Sequence, residues 1–438
     1  MFNFQKELND ISAVWRSFCL KRNAEREFVI CGPKGCGKTR IVQDYVRNHS
    51  SAFYISFESL TDRMAIESFR EQFISECDLL NNWDEAVKAF ISKRNNNSTL
   101  LIFENNSNSY YKIFKKYAHQ VDNIQICYLS DTTPTSYSGT SIKIGYRTLQ
   151  DYFHAFPKHD RQDVLRLYAL TGGVYTITKE LDENMSYEEN IRKLLSYDSV
   201  FSTTLPLWLT KCFRRPDSYY PIFKSIASGH HRLSEIAKDI EFPNNKCGKY
   251  LEALIKNNFV VAKKIPGSKQ STYHFANVYF EAWSRYICGN KSTQMTQPET
   301  LYGYVTDNID NEMALHVFCD ACIRFIQHAP TDYLNRLRDL KILSAEKSVS
   351  VKFKGREIIL DYCVQTNDEH FVFILPKSVD MRYTKNEISD IYSALKIRDM
   401  YYNTNIVIFS INRFSDWCVH ESKQNPYLHV VPLERLKY

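Results

Sequence analysis

One short stretch limits the possible folds of this chain more than any other. Residues 29–42, VICGPKGCGKTRIV, match the pattern G-x-x-x-x-G-K-[ST] at Gly32, Gly37, Lys38 and Thr39. An apolar run precedes the match, and a helix-like segment follows it. In such a loop, successive backbone N–H groups and the start of a helix form a concave, positive site for phosphate groups. The pattern therefore predicts a strand, a phosphate-binding loop and a helix, in that order.

The same stretch predicts which residues hold a nucleotide and its metal ion. Lys38 is expected to reach the β and γ phosphates of ATP, and the hydroxyl of Thr39 is expected to bind Mg²⁺. Glycines in the loop let the backbone approach the phosphates closely because they carry no Cβ. The expected nucleotide-binding residues are Gly32, Pro33, Lys34, Gly35, Cys36, Gly37, Lys38, Thr39 and Arg40.

Short apolar runs alternate with longer amphipathic segments in the first third of the chain. Between about residues 28 and 131 the predicted strands read FVICG, AFYISF, TLLIF and IQICYLS. Strands that alternate with helices in this way build a parallel sheet, so the expected fold class is α/β. The length of 438 residues suggests about two to four domains, and we expect three.

The composition argues against a membrane-spanning or secreted protein. Apolar runs such as residues 100–103 and 406–409 are far shorter than the roughly 18 residues of a membrane helix. The opening MFNFQKELND lacks the pattern of a secretory signal. Most of the 12 cysteines lie in apolar stretches, as buried thiols do in a reducing compartment. We expect a cytoplasmic protein, with no metal at Cys319 and Cys322 because no second pair accompanies them.

Cleavage of a bound nucleotide needs a carboxylate for Mg²⁺ and a group that orients or deprotonates water. The usual place is a buried strand that ends in Asp-Glu, and here TLLIF is followed by Glu104 and Asn105. Glu104 can serve the metal, whereas Asn105 can position a water but cannot act as a base. Alternatively, the strand simply ends in solvent. Ser130 ends the next strand and either senses the γ phosphate or forms a turn; both remain open.

A short segment carries most of the surplus positive charge. The net charge is +6, and residues 246–269 contain six lysines against one acid, Glu252. Within residues 219–275, IFKSIASGHHRLSEIAKDI predicts two helices, NNKCGKYLEALIKNN a third, and FVVAKKI with STYHFAN a hairpin.

The order of these parts resembles the prokaryotic archaeal-type ATPases, a branch of the AAA+/STAND P-loop ATPases. The resemblance rests on FQKEL near the N-terminus, the Walker A loop, the strand with its acidic end, TGGVY at residues 171–175 and the helix–hairpin pattern. It implies a P-loop NTPase parallel sheet with a helical lid, a winged-helix module and a C-terminal α/β nuclease-like domain. Three features depart from the family pattern: Glu104 and Asn105 replace Asp-Glu, no Arg precedes Glu7, and no Pro follows TGG.

The resemblance also implies domain boundaries. They are 1–155 for the ATPase core, 156–215 for the lid, 216–288 for the winged helix, 289–298 for a linker and 299–438 for the restriction-endonuclease-like domain.

In a DNA-binding winged helix, the third helix and the hairpin meet the groove and the phosphates. The candidate DNA-binding residues are therefore Lys246, Lys249, Lys263, Lys264 and Lys269. Docking onto the ATPase core or a protein partner accounts for the same lysines equally well, and both interpretations stay open.

The nuclease-like pattern asks for a helical Glu, an Asp at a strand end and Glu-x-Lys on the next strand, because carboxylates must hold Mg²⁺ beside a Lys. Glu312 opening a helix, Asp361 ending REIILD and Lys377 match this degenerate nuclease site. Leu375 occupies the position of the second Glu. We therefore expect the fold without cleavage, with Asp361 and Lys377 as structural residues or remnants.

Three functions are compatible with these features. The first is a nucleotide-gated switch that changes contact with double-stranded DNA or a protein partner. The second is an active, DNA-stimulated ATPase of the origin-binding or loader type, completed by an arginine such as Arg147 or Arg166. The third is an ATP-controlled nuclease, which Leu375 opposes. The resemblance further implies an ATP-dependent oligomer.

Overall fold

The computed structural model describes residues 4–20, 25–57, 60–74, 82–94, 97–104, 109–132, 137–264, 270–328, 342–366, 370–379, 381–398, 404–411 and 414–433. The chain divides into two compact units. The first unit is Met1–Arg147 with Val174–Thr176, and the second is Thr148–Gly173 with Ile177–Tyr438.

The first unit alternates helices and strands, as the apolar pattern predicts. Its elements are α1 (Gln5–Cys19), β1 (Glu27–Cys31), α2 (Lys38–Arg47), β2 (Ala52–Ile55), α3 (Asp62–Phe73), α4 (Trp83–Arg94), β3 (Thr99–Phe103), α5 (Ser109–Ala118), β4 (Ile124–Ser130) and β5 (Ser141–Lys143). The strands form one sheet in the order β2-β3-β4-β1-β5, and every pairing is parallel. The predicted α/β fold with a parallel sheet is confirmed.

Both faces of this sheet are covered, which explains the continuous apolar runs of its strands. Leu101 and Phe103 of β3 point into a core with α3, α4 and α5. Leu100 and Ile102, one residue out of step, point into a second core with α1 and α2. The sheet is therefore the middle layer of three, and the carboxyl ends of its strands meet at one edge.

The core on the α3 side is rich in aromatic rings. Phe69 of α3 is fully buried at its centre. Its ring centroid lies between 5.0 and 6.3 Å from those of five neighbours, namely Phe57, Phe73, Trp83, Phe90 and Phe114. Such ring pairs stabilise a core beyond the area that they bury.

The second unit begins with helices. In chain order they are α6 (Leu149–Ala155), α7 (Arg161–Thr171), α8 (Tyr175–Thr178), which starts in the first unit, α9 (Tyr187–Leu195), α10 (Val200–Cys212), a 3₁₀ turn (Pro216–Tyr219), α11 (Tyr220–Ala227), α12 (Leu233–Asp239), α13 (Asn244–Lys256), α14 (Val278–Tyr286), α15 (Lys291–Thr296), α16 (Pro298–Ile309), a π-helical turn (Asp310–Ala314) and α17 (Leu315–His328).

Residues 289–298, expected to form a linker, contain helix α15 instead. Gln294 of α15 is buried, and its amide donates to Leu195 O (3.1 Å) and Ser202 Oγ (2.9 Å). Gln294 thus makes a buried polar contact inside the second unit, while most other residues of the segment are exposed.

An antiparallel hairpin of β6 (Val260–Lys264) and β7 (Ser271–Phe275) follows α13, as predicted. Tyr273 N donates to His231 O (2.8 Å), which attaches β7 to the segment before α12. The ring of His274 stacks on that of His231 at 4.4 Å, and its Nε2 lies 3.0 Å from Thr272 Oγ1. The helices and hairpin match the elements predicted for residues 219–275, while their assignment as a winged helix remains a prediction.

The chain ends in a second sheet, which confirms a further α/β region. Its elements are β8 (Ile342–Phe353), β9 (Arg356–Thr366), β10 (His370–Ile374), α18 (Lys385–Ile397), β11 (Thr404–Ser410), α19 (Asp416–Gln424) and β12 (Leu428–Pro432). The order is β12-β11-β10-β9-β8; β10, β11 and β12 are parallel, whereas β8 and β9 are antiparallel to their neighbours.

Two residues of the expected nuclease site lie at other places than predicted. Asp361 is inside β9, because the strand continues beyond it and Tyr362 pairs with Phe373 of β10. Glu312 lies in the π-helical turn between α16 and α17 and does not open a helix. Within the described part of the chain, no helix is both long and apolar enough to cross a membrane.

Phe69→Ala should lower the free energy of unfolding by about 3–5 kcal/mol, because it removes a fully buried ring and leaves a cavity. Met64→Ala on the same helix, where Met64 is 52% exposed, should change the free energy by less than about 0.5 kcal/mol. Urea unfolding followed by tryptophan fluorescence measures both, since Trp83 borders Phe69. Equal effects of the two substitutions would contradict the proposed position of Phe69.

His274→Gln should remove part of the acid sensitivity of the fold. Burial, then the charges of His231 and Lys263, lower the pKa of His274 to about 4. The unfolded chain binds a proton at this side chain below about pH 6.5, whereas the folded hairpin does so only near pH 4. Stability should therefore fall as the pH falls through this window and should not change from this cause above it.

Melting temperatures at pH 7.5, 6 and 4.5 test this expectation for the wild type and His274→Gln. His420→Gln, on the exposed side of α19, is the matched control and should keep the wild-type pH dependence. An unchanged slope in His274→Gln would contradict the role of this histidine.

Candidate functional site

The predicted phosphate-binding loop connects the end of β1 to the start of α2. Gly37 directly precedes α2 with φ of 102°, a left-handed conformation that glycine tolerates best. A Cβ at Gly37 would lie 3.0 Å from Phe4 Cζ and 3.1 Å from Tyr175 Cδ1, and a Cβ at Gly32 would collide with the carbonyl oxygen of Ile144. Both motif glycines are thus required by the geometry of this loop.

Lys38 is folded back over the loop. Its ammonium donates to Gly32 O (2.6 Å), Pro33 O (3.2 Å) and Asp131 Oδ1 (3.1 Å). Only 11% of its side chain is exposed, against 48% for Asp131. Lys38 therefore lies where the motif expects it, with carbonyl and carboxylate oxygens as its partners.

Three side chains from separate elements meet at the start of α2. Thr39 Oγ1 donates to Glu104 Oε1 (3.5 Å), and the hydroxyl of Tyr54 donates to Glu104 Oε2. Tyr54 is on β2, opposite Ile102 of the neighbouring strand β3, and Glu104 directly follows β3. Burial, together with the adjacent Glu104 carboxylate, raises the pKa of Tyr54, so its hydroxyl stays a donor at neutral pH.

This arrangement fits a magnesium ion that is shared with phosphate groups. A hydroxyl and a carboxylate side by side are hard oxygen donors of the type that Mg²⁺ prefers, together with water and phosphate oxygens. Among the described residues, no group of three or more His, Cys, Asp or Glu side chains could hold a metal by itself. Thr39 and Glu104 would hold the ion, which would neutralise phosphate charge when bound.

The contacts at the end of β4 bear on the two alternatives left open for Ser130. Ser130 Oγ donates to Thr132 O (2.6 Å) and accepts from Thr132 N (3.4 Å), which favours the turn-forming alternative for this serine. The next residue, Asp131, contacts Lys38. Sequence reasoning missed this carboxylate, although it follows an apolar strand in the same manner as Glu104 follows TLLIF. Asn105 lies outside the described residues.

The two arginines predicted to complete an ATPase site are engaged within their own units. The guanidinium of Arg147 lies 4.1 Å from the ring centroid of Phe4 and binds Glu7 at 2.8 Å, and Arg147 is only 6% exposed. Arg166 makes two hydrogen bonds to Asp310, of 2.7 and 2.5 Å. In the structure each is held by a carboxylate of its own unit, and a role for either arginine in ATP hydrolysis stays a prediction.

Tyr175, the last residue of TGGVY, was not among the predicted site residues. Its ring meets that of Phe4 edge to face at 4.9 Å, beside Gly37. Its neighbour Thr176 donates its backbone N–H to Gly35 O (3.2 Å). The residues after the TGG turn thus contact the loop directly.

The predicted nuclease residues are brought together only in part. Asp361 is buried, and its two carboxylate oxygens accept from Lys377 Nζ (2.6 Å) and from the backbone N–H of Leu375 (2.8 Å). Leu375 itself is buried. Glu312 accepts from the hydroxyl of Tyr286 (3.0 Å). These contacts favour a structural role for Asp361 and Lys377.

Four of the predicted DNA-binding lysines are exposed, and they are together called the basic surface: Lys246 and Lys249 of α13 and Lys263 and Lys264 of β6. Cys247, Leu251 and Leu254 of α13 are buried, so the lysines of this helix lie on its outer face. Lys246 Nζ lies 3.8 Å from the ring centroid of Phe242. Lys269 lies outside the described residues.

Comparison with known proteins identifies similar folds only. No protein-family model and no curated protein matches the chain. Among solved structures, the chain is similar to a Walker-type ATPase of Pyrococcus abyssi, with 13% identity, 65% of this chain and 96% of that chain covered, and a TM-score of 0.43.

Two further structures are similar at lower scores. The ORC1 protein of Aeropyrum pernix in complex with DNA has 11% identity, with 65% of this chain and 93% of that chain covered and a TM-score of 0.34. A STAND protein of Pyrococcus horikoshii with a tetratricopeptide repeat sensor has 14% identity, with 74% and 48% covered and a TM-score of 0.28. All three scores are below 0.5, so the fold assignment rests on the strand order and the loop: the first unit has the fold of a P-loop nucleoside triphosphatase.

Proposed function

We propose that this chain is an AAA+/STAND-like protein that binds ATP with Mg²⁺ and acts as a nucleotide-gated switch. One observation carries the proposal: Lys38 lies over the loop while Thr39 and Glu104 meet beside it at the start of α2. A cation for the β and γ phosphates and two oxygen ligands for Mg²⁺ are thus adjacent.

The loop backbone supplies the rest of the phosphate site. The N-terminus of α2, a helix of 10 residues, follows Gly37 directly, and the backbone N–H groups of a helix's first turn favour an anion. Lys38 adds a full positive charge at the same place. A triphosphate would replace Gly32 O, Pro33 O and Asp131 as the partners of the Lys38 ammonium, so binding would change contacts inside the loop.

The TGG turn offers a route from the loop to the second unit. Thr176 donates to Gly35 O, and the chain on both sides of residues 174–176 belongs to the second unit. A shift of Gly35 on nucleotide binding would therefore act on the chain between α7 and the rest of α8. This connection supports a switch in which the occupied loop biases the second unit.

The output of the switch is proposed to be the basic surface of the second unit. Its four exposed lysines can pair with the phosphates of duplex DNA. The alternative partner is a protein with an acidic surface. DNA-stimulated ATP hydrolysis is the second candidate, favoured by the carboxylate of Asp131 next to Lys38. Nuclease activity is not proposed, since Leu375 is buried and the Asp361 oxygens are occupied.

Lys38→Ala should weaken binding of a non-hydrolysable ATP analogue with Mg²⁺ at least about tenfold, because charged hydrogen bonds contribute about 1.5–3 kcal/mol each. Isothermal titration calorimetry measures the dissociation constants. Lys112→Ala, on the exposed face of α5, should bind as the wild type does. Failure of the wild type to bind the analogue would overturn the proposed function.

The double variant Lys263→Glu/Lys264→Glu should weaken duplex DNA binding and reduce its salt dependence by a slope of about two, one for each lost phosphate contact. Fluorescence anisotropy at several salt concentrations, with and without the ATP analogue, measures this. Lys385→Glu/Lys423→Glu changes the net charge equally at exposed positions of α18 and α19 and should retain the slope. If the wild type binds no DNA in either state, the basic surface is assigned to a protein partner.

A further inference from the structure

We infer that Asp131 is the catalytic base of this site, the group that accepts a proton from the water attacking the γ phosphate. The inference rests on the proposed binding of ATP. It assigns the base to the end of β4, in place of the residue after Glu104, where the sequence pattern would put it.

The sheet order places Asp131 beside the loop. Strand β4 lies between β3 and β1, and Ser130 at its end pairs with Cys31 at the end of β1. Gly32 N donates to Ser130 O (3.0 Å), so the start of the loop is fixed to the residue before Asp131. The backbone of Asp131 is therefore held at the edge where the phosphates would bind.

The side chain of Asp131 contacts Lys38, the lysine that would bind the phosphates. Its Oδ1 lies 3.1 Å from Lys38 Nζ, and the lysine of this motif reaches the β and γ phosphates. When Lys38 binds the γ phosphate, the neighbouring Asp131 carboxylate therefore lies next to that phosphate. Because Asp131 is 48% exposed, water has access to the carboxylate.

The other described groups at this edge are unsuited to take a proton. Glu104 accepts from Thr39 and Tyr54, on the side where the metal would bind. The Ser130 hydroxyl is used by Thr132. Burial raises the pKa of both the Cys36 thiol and the Tyr146 hydroxyl, so both keep their protons at neutral pH. From the sequence alone, Asn105 carries an amide, which has no proton affinity to offer.

The step balances without a further reagent. The water oxygen forms a bond to the γ phosphorus, and the bond from that phosphorus to the bridging oxygen of ADP breaks, with its electron pair passing to ADP. The water proton moves to the Asp131 carboxylate and is later released to solvent. The products are ADP and inorganic phosphate, and Lys38 offsets the negative charge that the carboxylate brings near the phosphates.

Asp131→Asn separates catalysis from binding, because the amide has nearly the same shape but accepts no proton. Single-turnover release of phosphate from radiolabelled ATP should slow at least about 100-fold. The dissociation constant of the non-hydrolysable analogue, measured with Mg²⁺ and again in EDTA, should stay within about threefold of the wild type or become smaller. Asp122→Asn, at the exposed opposite end of β4, should change neither quantity.

Each other outcome overturns the inference. If Asp131→Asn cleaves ATP at the wild-type rate, Asp131 is excluded as the base. If Asp131→Asn loses analogue binding to the same extent as Lys38→Ala, Asp131 maintains the conformation of the loop and is not the base. A wild type that binds the analogue but releases no phosphate over hours would reject the base and leave the proposed ATP binding intact. A wild type that binds no analogue would reject both.

Discussion

The parallel register of β3, β4 and β1 is the constraint on which the candidate site depends. Because the three strands run in the same direction and lie side by side, residues that follow them are delivered to one edge. Glu104 is the first residue after β3, and Asp131 is the first after β4. The phosphate-binding loop begins directly after Cys31 of β1. The two covered faces of the sheet hold the strands in this register through two separate cores, so the site rests on rigid elements although Glu104 and Asp131 lie just beyond strand ends.

Lys38 connects the loop to the rest of this edge. In the structure its ammonium donates hydrogen bonds to two carbonyl oxygens and to Asp131. A phosphate can therefore bind Lys38 only if some of these hydrogen bonds break. That exchange costs part of the binding free energy and changes the loop, as a switch requires. Under the proposed mechanism the same carboxylate that holds the lysine before binding receives the proton afterwards.

The second unit uses paired charges for stability where the family resemblance suggested chemistry. Lys377 and the Leu375 N–H both bind Asp361 inside β9, so a buried carboxylate is satisfied without a metal ion. Arg166 and Asp310 likewise join α7 to the π-helical turn within this unit. Lys246, Lys249, Lys263 and Lys264 are instead exposed, on the outer face of α13 and on β6, and under the proposed function a partner binds this basic surface.

The amino-acid sequence by itself determined the parallel sheet, the loop with Lys38 and Thr39, the acidic end of β3 and the hairpin after α13. These features follow from periodicity and short motifs, whose physical basis lies within a few residues of the chain. Only the tertiary structure decided that Asp131 contacts Lys38, that Tyr54 donates to Glu104, that Ser130 is used in a turn, that residues 291–296 form a helix and that Asp361 lies inside a strand. Those outcomes depend on which strands are neighbours and which side chains compete for the same hydrogen bonds, because residues 38, 54, 104 and 131 meet only after β1–β4 have paired.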